Sequence, residues 1–399
     1  MILWQVLIPL VIIVSYISLG LGYIPGLRLN RATIALITAA ILIALGVLTL
    51  KEAWIAIDAN TIIFLLSMMI INGYLSYSGF FNLALSFLWK FTLTPLFLIV
   101  LLTFSTGFLS ALFLNDTLVL ITTPFILQLT SKLKLNPIPY LLAIAGATNI
   151  GSLATLNGNP QNILIGSSSG ISYLEFTQAL IFPSIFGLII QIGLLWLLYP
   201  EIRSTERILL PKLSPNRIHR AILGKTLMVT LLLLIAFVLG FPLAESAFLA
   251  AAILLITRRL KPQKILKQID WSLLVMFSGL FILSHCVKSL NLFNFVRDWL
   301  NFPFNLTIIT SILSNLISNV PAVLLLQGLM SEVTTEKWLL LASSATLAGN
   351  LTLFGSVANL IMVESVAKEG YQLSFWQHLR FGLPLTIITT GLTYLWIMK

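Results

Sequence analysis

Two Gly-x-x-x-Asn runs and one aspartate carry the chemistry that this sequence offers. The first run lies in Asn157-Gly158-Asn159-Pro160-Gln161-Asn162, after Asn149-Ile150-Gly151-Ser152. The second is Gly355-Ser356-Val357-Ala358-Asn359, after Asn350-Leu351-Thr352. Both interrupt apolar stretches. Asn, Ser and Thr supply neutral donors and acceptors, and Gly lets a ligand approach the backbone closely. A helix broken at such a point exposes N–H groups on one half, which favour an anion. The other half exposes carbonyls, which can ligate a cation together with side-chain oxygens. Upstream of each run an Asn sits at a turn between apolar arms, in Leu114-Asn115-Asp116-Thr117 and in Ser318-Asn319-Val320-Pro321. The chemistry implied is reversible binding of an ion or small polar solute. No His-x-x-x-His, Glu/His cluster or nucleophile–base pair accompanies these residues, so we expect no enzyme. Cys286 is the one cysteine and His219, His285 and His378 are scattered, so no disulfide, cofactor or resident metal cluster is expected.

Asp116 stands apart, because an acid at a turn inside the membrane is by default a proton carrier or part of a cation site. It also suits a helix N-cap for the arm that starts at Thr117. Val320 takes its place in the second turn, which favours one coupling ion, Na⁺ or H⁺, at the first. A Na⁺ is placed near Asn115, Asp116, Asn157 and Gly158. The other candidate binding residues are Thr117, Asn149, Asn159, Asn162, Ser318, Asn319, Asn350, Thr352, Gly355, Ser356 and Asn359. Against this stands a plainer reading in which the same Asn side chains glue helices together. Asp58 and Asp270 read as helix caps. On the binding reading, Asn162→Ala and Asn359→Ala abolish transport with the fold intact.

The elements that position these residues are membrane helices. Of 399 residues, 58% are hydrophobic and 9% charged, and the mean hydropathy is +1.01. Soluble domains are about one quarter charged. Apolar stretches reach the ~20 residues that cross a bilayer. We expect spans at 2–20, 31–50, 60–78, 138–168, 176–199, 223–240, 243–257, 271–288, 337–365 and 381–398, with hairpins at 94–130 and 303–330. The stretch 2–19 lacks the basic start and cleavage site of a signal peptide. With both termini outside the cytoplasm, eighteen of the 23 Lys and Arg fall on the cytoplasmic side. Among them are Lys90, Arg207, Lys212 and Arg217. The net charge of +10 is therefore a topology signal in loops and not a nucleic-acid surface.

The segments after Asp58 and Asp270 read alike, each leading through a hairpin with Asn at its turn to a polar, Gly-containing break. Five spans and a returning hairpin make an odd number of crossings, so the second copy must enter the membrane upside down relative to the first. The expected fold is an all-α polytopic membrane protein of two inverted-topology repeats, with broken helices at mid-depth. The first repeat is 1–200, a cytoplasmic basic linker is 201–222, and the second repeat is 223–399.

At these residues the chain resembles the ion transporter superfamily, which includes divalent-anion:sodium symporters, citrate carriers and arsenite efflux pumps. Asn115-Asp116-Thr117 with Thr123-Pro124, and the run 157–162, look like the Asn-Asp, Thr-Pro and Gly-Asn-Pro-Gln-Asn elements of the arsenite-pump branch. Residues 318–322 and 349–360 are similar to bacterial anion permeases. The resemblance covers essentially the whole chain. It implies a scaffold, two re-entrant hairpins with binding tips, an elevator-like motion, a homodimer and a bacterial plasma membrane. The expected function is secondary active transport of a small anion coupled to Na⁺ or H⁺, by alternating access. The alternative is a cation/proton antiporter that uses Asp116.

Overall fold

The computed structural model describes residues 2–22, 26–89, 94–206, 218–330 and 333–399. Lys90, Arg207, Lys212 and Arg217, and with them much of the 201–222 linker, lie outside the described residues. The first ten α-helices are α1 (Ile2–Leu21), α2 (Arg31–Ala44), α3 (Leu50–Ala56), α4 (Ala59–Ser78), α5 (Phe80–Trp89), α6 (Pro95–Leu112), α7 (Asn115–Lys132), α8 (Ile138–Ser152), α9 (Pro160–Ser169) and α10 (Tyr173–Leu198). The next ten are α11 (Arg220–Val238), α12 (Leu243–Leu255), α13 (Gln263–Leu266), α14 (Trp271–Ser289), α15 (Asn294–Leu300), α16 (Pro303–Ile317), α17 (Asn319–Leu329), α18 (Thr335–Ala348), α19 (Val357–Lys368) and α20 (Phe375–Ile397). No β-strand forms among the described residues. Helices are the economical choice here, because each satisfies its own backbone where water is absent.

Local signals set the boundaries. The Asp58 carboxylate accepts the N–H groups of Asn60 and Thr61, and that of Asp270 accepts from Leu273, so both acids cap their helices as expected. Pro160 and Pro303 open α9 and α16, where a missing N–H costs nothing. Gly79 ends α4 with φ +85°, a left-handed conformation that glycine adopts without strain.

Among the described residues, five helices are long and apolar enough to cross a membrane: α4, α6, α10, α11 and α14. The span expected at 31–50 is shorter: α2 stops at Ala44, and the short helix α3 follows a turn. Gly46, with φ +73°, allows that turn. The spans expected at 138–168 and 337–365 are each broken in the middle, into α8/α9 and α18/α19. Arms α16 and α17 hold 15 and 11 residues. At 1.5 Å per residue they reach roughly 22 and 16 Å, short of the ~30 Å hydrocarbon core.

The packing repeats with the element order. Helix α2 lies against α14, and α12 lies against α4, so each half's second helix meets the other half's fourth. Likewise α6 packs on α8 and α16 on α18, while α10 and α20 meet each other. Small residues permit the tight crossings. A Cβ on Gly279 would sit 2.7 Å from the Ala35 carbonyl carbon, and one on Gly151 would sit 2.1 Å from the Gly107 oxygen.

Candidate functional site

The first break, residues 153–159, is held by its own polar side chains. Asn159 caps α9 by accepting the Asn162 N–H at 2.8 Å. The Asn162 amide donates back across the break to the carbonyls of Ser152 (3.0 Å) and Thr155 (2.9 Å). The first hairpin tip docks on this break. Asn115 N–H donates to the Gly158 carbonyl at 3.2 Å, and the Asn157 amide donates to Leu112 O at 2.7 Å. Ser110 and Thr155 add hydroxyl donors to Thr148 O and Ala111 O. A Cβ on Gly158 would meet Ser152 O at 2.5 Å, so only glycine lets the tip and the break touch.

The second break, residues 349–356, repeats the device. The Asn359 amide donates to the carbonyls of Gly349 (2.8 Å) and Thr352 (3.2 Å), ten and seven residues back, at the same spacing as Asn162. Asn319, its amide turned to suit its neighbours, donates to Gly355 O (3.0 Å) and Ala345 O (3.1 Å). Asn315 bridges from α16 to Ala348 O and accepts from the Thr352 hydroxyl. Ser318 holds a left-handed φ of +76° at the hairpin turn.

The two breaks also bond to each other. Asn149 donates to the Asn350 side-chain oxygen at 2.9 Å and accepts from Ser356 at 3.1 Å. Thr346 accepts from the Asn159 and Gln161 amides and donates to the Asn162 oxygen. Gln161 in turn donates to Asn319 at 3.3 Å. The structure thus gathers Asn149, Asn159, Asn162, Asn319, Asn350, Ser356 and Asn359 into one buried network between the halves. All seven are buried, and the Asn350 nitrogen and Asn359 oxygen have no partner.

Of the expected site residues, Asp116 and Thr117 stand at a cavity wall. They line a cavity of about 470 Å³ with Asn72, Ser76, Gln268 and Asp270. Among the described residues, neither Lys nor Arg lines it. Asn72 is 1% exposed, and both its amide oxygen and its amide nitrogen lack a partner. An unpaired buried amide is costly, which marks Asn72 as a group that a bound ligand would satisfy. Two carboxylates with neutral oxygens favour a cation or proton, not an anion. The oxygens of Asn115, Asn157 and Gly158, expected near a Na⁺, already accept from Asp116 N–H, Tyr173 OH and Asn115 N–H. The open acceptor groups at the first tip therefore belong to Asp116 and Thr117 on the cavity side.

Residue-by-residue reading did not single out Asn72, Gln268 or the second role of Asp270. One signal was present: Asn72 and Ser76 recur four residues apart on α4 beside Gly73, a polar stripe on an apolar helix. A Cβ at Gly73 would come within 3.1 Å of Ile265, and this close approach brings Gln268 to the cavity. Thr346 corresponds to Asn149 under the 197-residue offset that relates Gly158 to Gly355, and could have been found by that alignment.

Comparison with known proteins identifies the family and the fold. The family model described as "Citrate transporter" matches residues 10–337. The silicon efflux transporter LSI3 of Oryza sativa subsp. japonica is 28% identical over 92% of this chain and 92% of that protein. A 46 kDa membrane protein of Mycobacterium leprae (strain TN) is 30% identical over 93% of this chain and 94% of its own length. The crystal structure of the Alcanivorax borkumensis YdaH transporter shares the fold, with TM-score 0.55 and 14% identity over 92% of this chain and 97% of that one. With its paired broken helices and a family match that spans most of its length, the chain belongs to the citrate transporter family of membrane transporters.

Proposed function

We propose that the protein is a secondary active transporter of a small oxyacid or other anion-class solute, driven by Na⁺ or H⁺ bound at the Asp116 cavity. The observation that carries this reading is the cavity itself. Asp116 and Asp270 face it beside an Asn72 amide with no partner, and no basic residue among the described ones lines it to hold an anion there. The driving ion and the solute then have separate seats. The solute is read by the uncharged Asn, Ser and Thr groups of the crossed breaks, where Asn350 and Asn359 keep one open polar atom each.

An uncharged set suits a weak oxyacid that is still protonated at neutral pH better than a multiply charged carboxylate, whose burial would demand paired charge. The likeness to a silicon efflux transporter supports the oxyacid side, and the family description supports organic acids. We read the two ten-helix halves as inverted repeats, with both termini outside the cytoplasm of a bacterial cell. Alternating access then follows from motion of the crossed breaks and hairpins against the α2/α14 and α4/α12 pairs.

The test is uptake into proteoliposomes under an imposed pH or Na⁺ gradient, screened over silicate, arsenite, sulfate and citrate. Gradient-driven accumulation of one of them, lost in Asp116→Asn, is the expected result. A variant that still concentrates solute against its gradient refutes the assignment of coupling to Asp116. The two carboxylates also favour a second reading, a cation/proton antiporter. It predicts Na⁺ or Li⁺ flux against a pH gradient with none of the four solutes present.

A further inference from the structure

A second cavity, of about 220 Å³, lies away from the breaks, between the start of α11, the end of α12 and the last turns of α4. Lys225, Arg258 and Arg259 line it together with Tyr74, and among the described residues no carboxylate does. Lys225 spends two of its three donors on the Ile253 and Ile256 carbonyls, at 2.5 and 2.6 Å, which closes the C-terminal end of α12. One ammonium proton remains for a ligand. Tyr74 is 1% exposed and its hydroxyl has no partner, and the residue lines this cavity. A phenol buried without a hydrogen bond is costly, so the cavity has a preformed place for a ligand oxygen. Three cations and a phenol, with no acid among them, make a site for an anion with several oxygens.

Size and surroundings narrow the choice. Pockets for drug-sized ligands run from ~300 to 1,000 Å³. This one has room for a phosphate group and little more. The walls beside it are lipid-facing: Met228, Leu231 and Leu232 on α11 are about 60% exposed, and Ile256 at the end of α12 is 77% exposed. Acyl chains lying along that wall would deliver a headgroup to the basic end. Basic recesses between membrane helices on the cytoplasmic side are where acidic headgroups bind.

We propose that this cavity binds the phosphate of an anionic phospholipid headgroup. The site stands apart from the transport path, so the proposal does not depend on which solute is carried. The experiment measures the melting temperature of delipidated protein in a neutral detergent. It titrates short-chain phosphatidylglycerol, phosphatidylcholine of the same chain length, and inorganic phosphate.

Phosphatidylglycerol is expected to raise the melting temperature with a saturable dependence, and phosphatidylcholine to do so only weakly. Tyr74→Phe breaks no hydrogen bond of the folded protein and changes no charge, so it separates this site from general attraction to anionic lipid. It should weaken the phosphatidylglycerol response about tenfold, as should Arg258→Gln with Arg259→Gln, in line with lost charge-assisted bonds. An undiminished response in Tyr74→Phe overturns the proposal, and so does an equal response to phosphatidylcholine. A shift with inorganic phosphate matching that with phosphatidylglycerol overturns the lipid source, because it makes free phosphate the ligand.

Discussion

Asn162 and Asn359 show how one residue type can do two jobs. Each is buried and donates both amide protons to carbonyls ten and seven residues back within its break. Removing the Asn162 amide takes the side-chain donor from Thr155 O, and removing that of Asn359 takes it from Gly349 O, at about 1–3 kcal/mol for each group left unsatisfied. Ser152 O and Thr352 O keep the Asn159 amide and the Gly355 N–H. The expectation that alanine there would leave folding intact therefore changes. Asn162→Ala and Asn359→Ala should both lower the melting temperature of the purified protein, and Asn162→Ala by more. The Asn162 oxygen also accepts from Thr346, whereas the Asn359 oxygen has no partner. Equal stability of both variants with the parent would return these residues to a purely ligand-binding role. Asp116→Asn is the opposite case: the carboxylate makes no hydrogen bond that asparagine would break, so coupling is lost while the melting point holds.

At the scale of elements, the breaks and hairpin tips form units because each exposed backbone group at a helix end finds a partner on its neighbour. The short helix α3 shows the same rule at the membrane edge. Thr49 and Glu52 form a capping box, and the Glu52 carboxylate accepts the Thr49 N–H at 2.7 Å and its hydroxyl at 2.8 Å. These bonds hold the Glu52 carboxyl below its ordinary value. A depressed folded value means the carboxylate stabilises α3 above the unfolded value, and that support is lost as pH falls through the folded one. Trp54 on the same helix is 77% exposed and reports on it. Its fluorescence should be constant at neutral pH and change below the normal carboxylate range. Thr49→Ala should shift that transition upward toward the ordinary value. A transition at the same pH in that variant would detach the Thr49 hydroxyl from the shift and leave it to the backbone N–H.

For the whole molecule, the two halves are joined by reciprocal helix pairs at the outside and by the Asn149–Asn350–Ser356 contacts at the centre. Opposite insertion of the halves can be tested, because the one cysteine, Cys286, is buried. In a Cys286→Ser background, single cysteines at Lys51 and Lys288 should react with an impermeant thiol reagent in intact cells. Those at Arg203 and Lys368 should react only after permeabilisation. Reaction of all four from one side would remove the inverted topology and the orientation derived from basic loops.

Much of this was legible in the chain alone. Apolar runs near twenty residues declare helices in lipid, because nothing else satisfies the backbone there. The Gly, Pro and Asn clusters at 157–162 and 355–359 declared the breaks, since such residues are costly in mid-membrane unless the fold uses them. Asp58 and Asp270 declared their caps by position, and motif similarity placed the chain among ion transporters. What the chain could not display is which polar atoms are spent on each other and which stay open. That depends on contacts between residues some two hundred positions apart, such as Asn149 with Asn350 and Asn159 with Thr346. Only the packed helices show most of the candidate Asn side chains turned inward to hold the breaks. Only packing brings Asn72 and Asp270 from separate halves to the cavity that Asp116 faces. Sequence spacing fixes neighbours along one helix, whereas a binding site is made by which helices cross, and the close contacts at Gly73, Gly151 and Gly279 decide that.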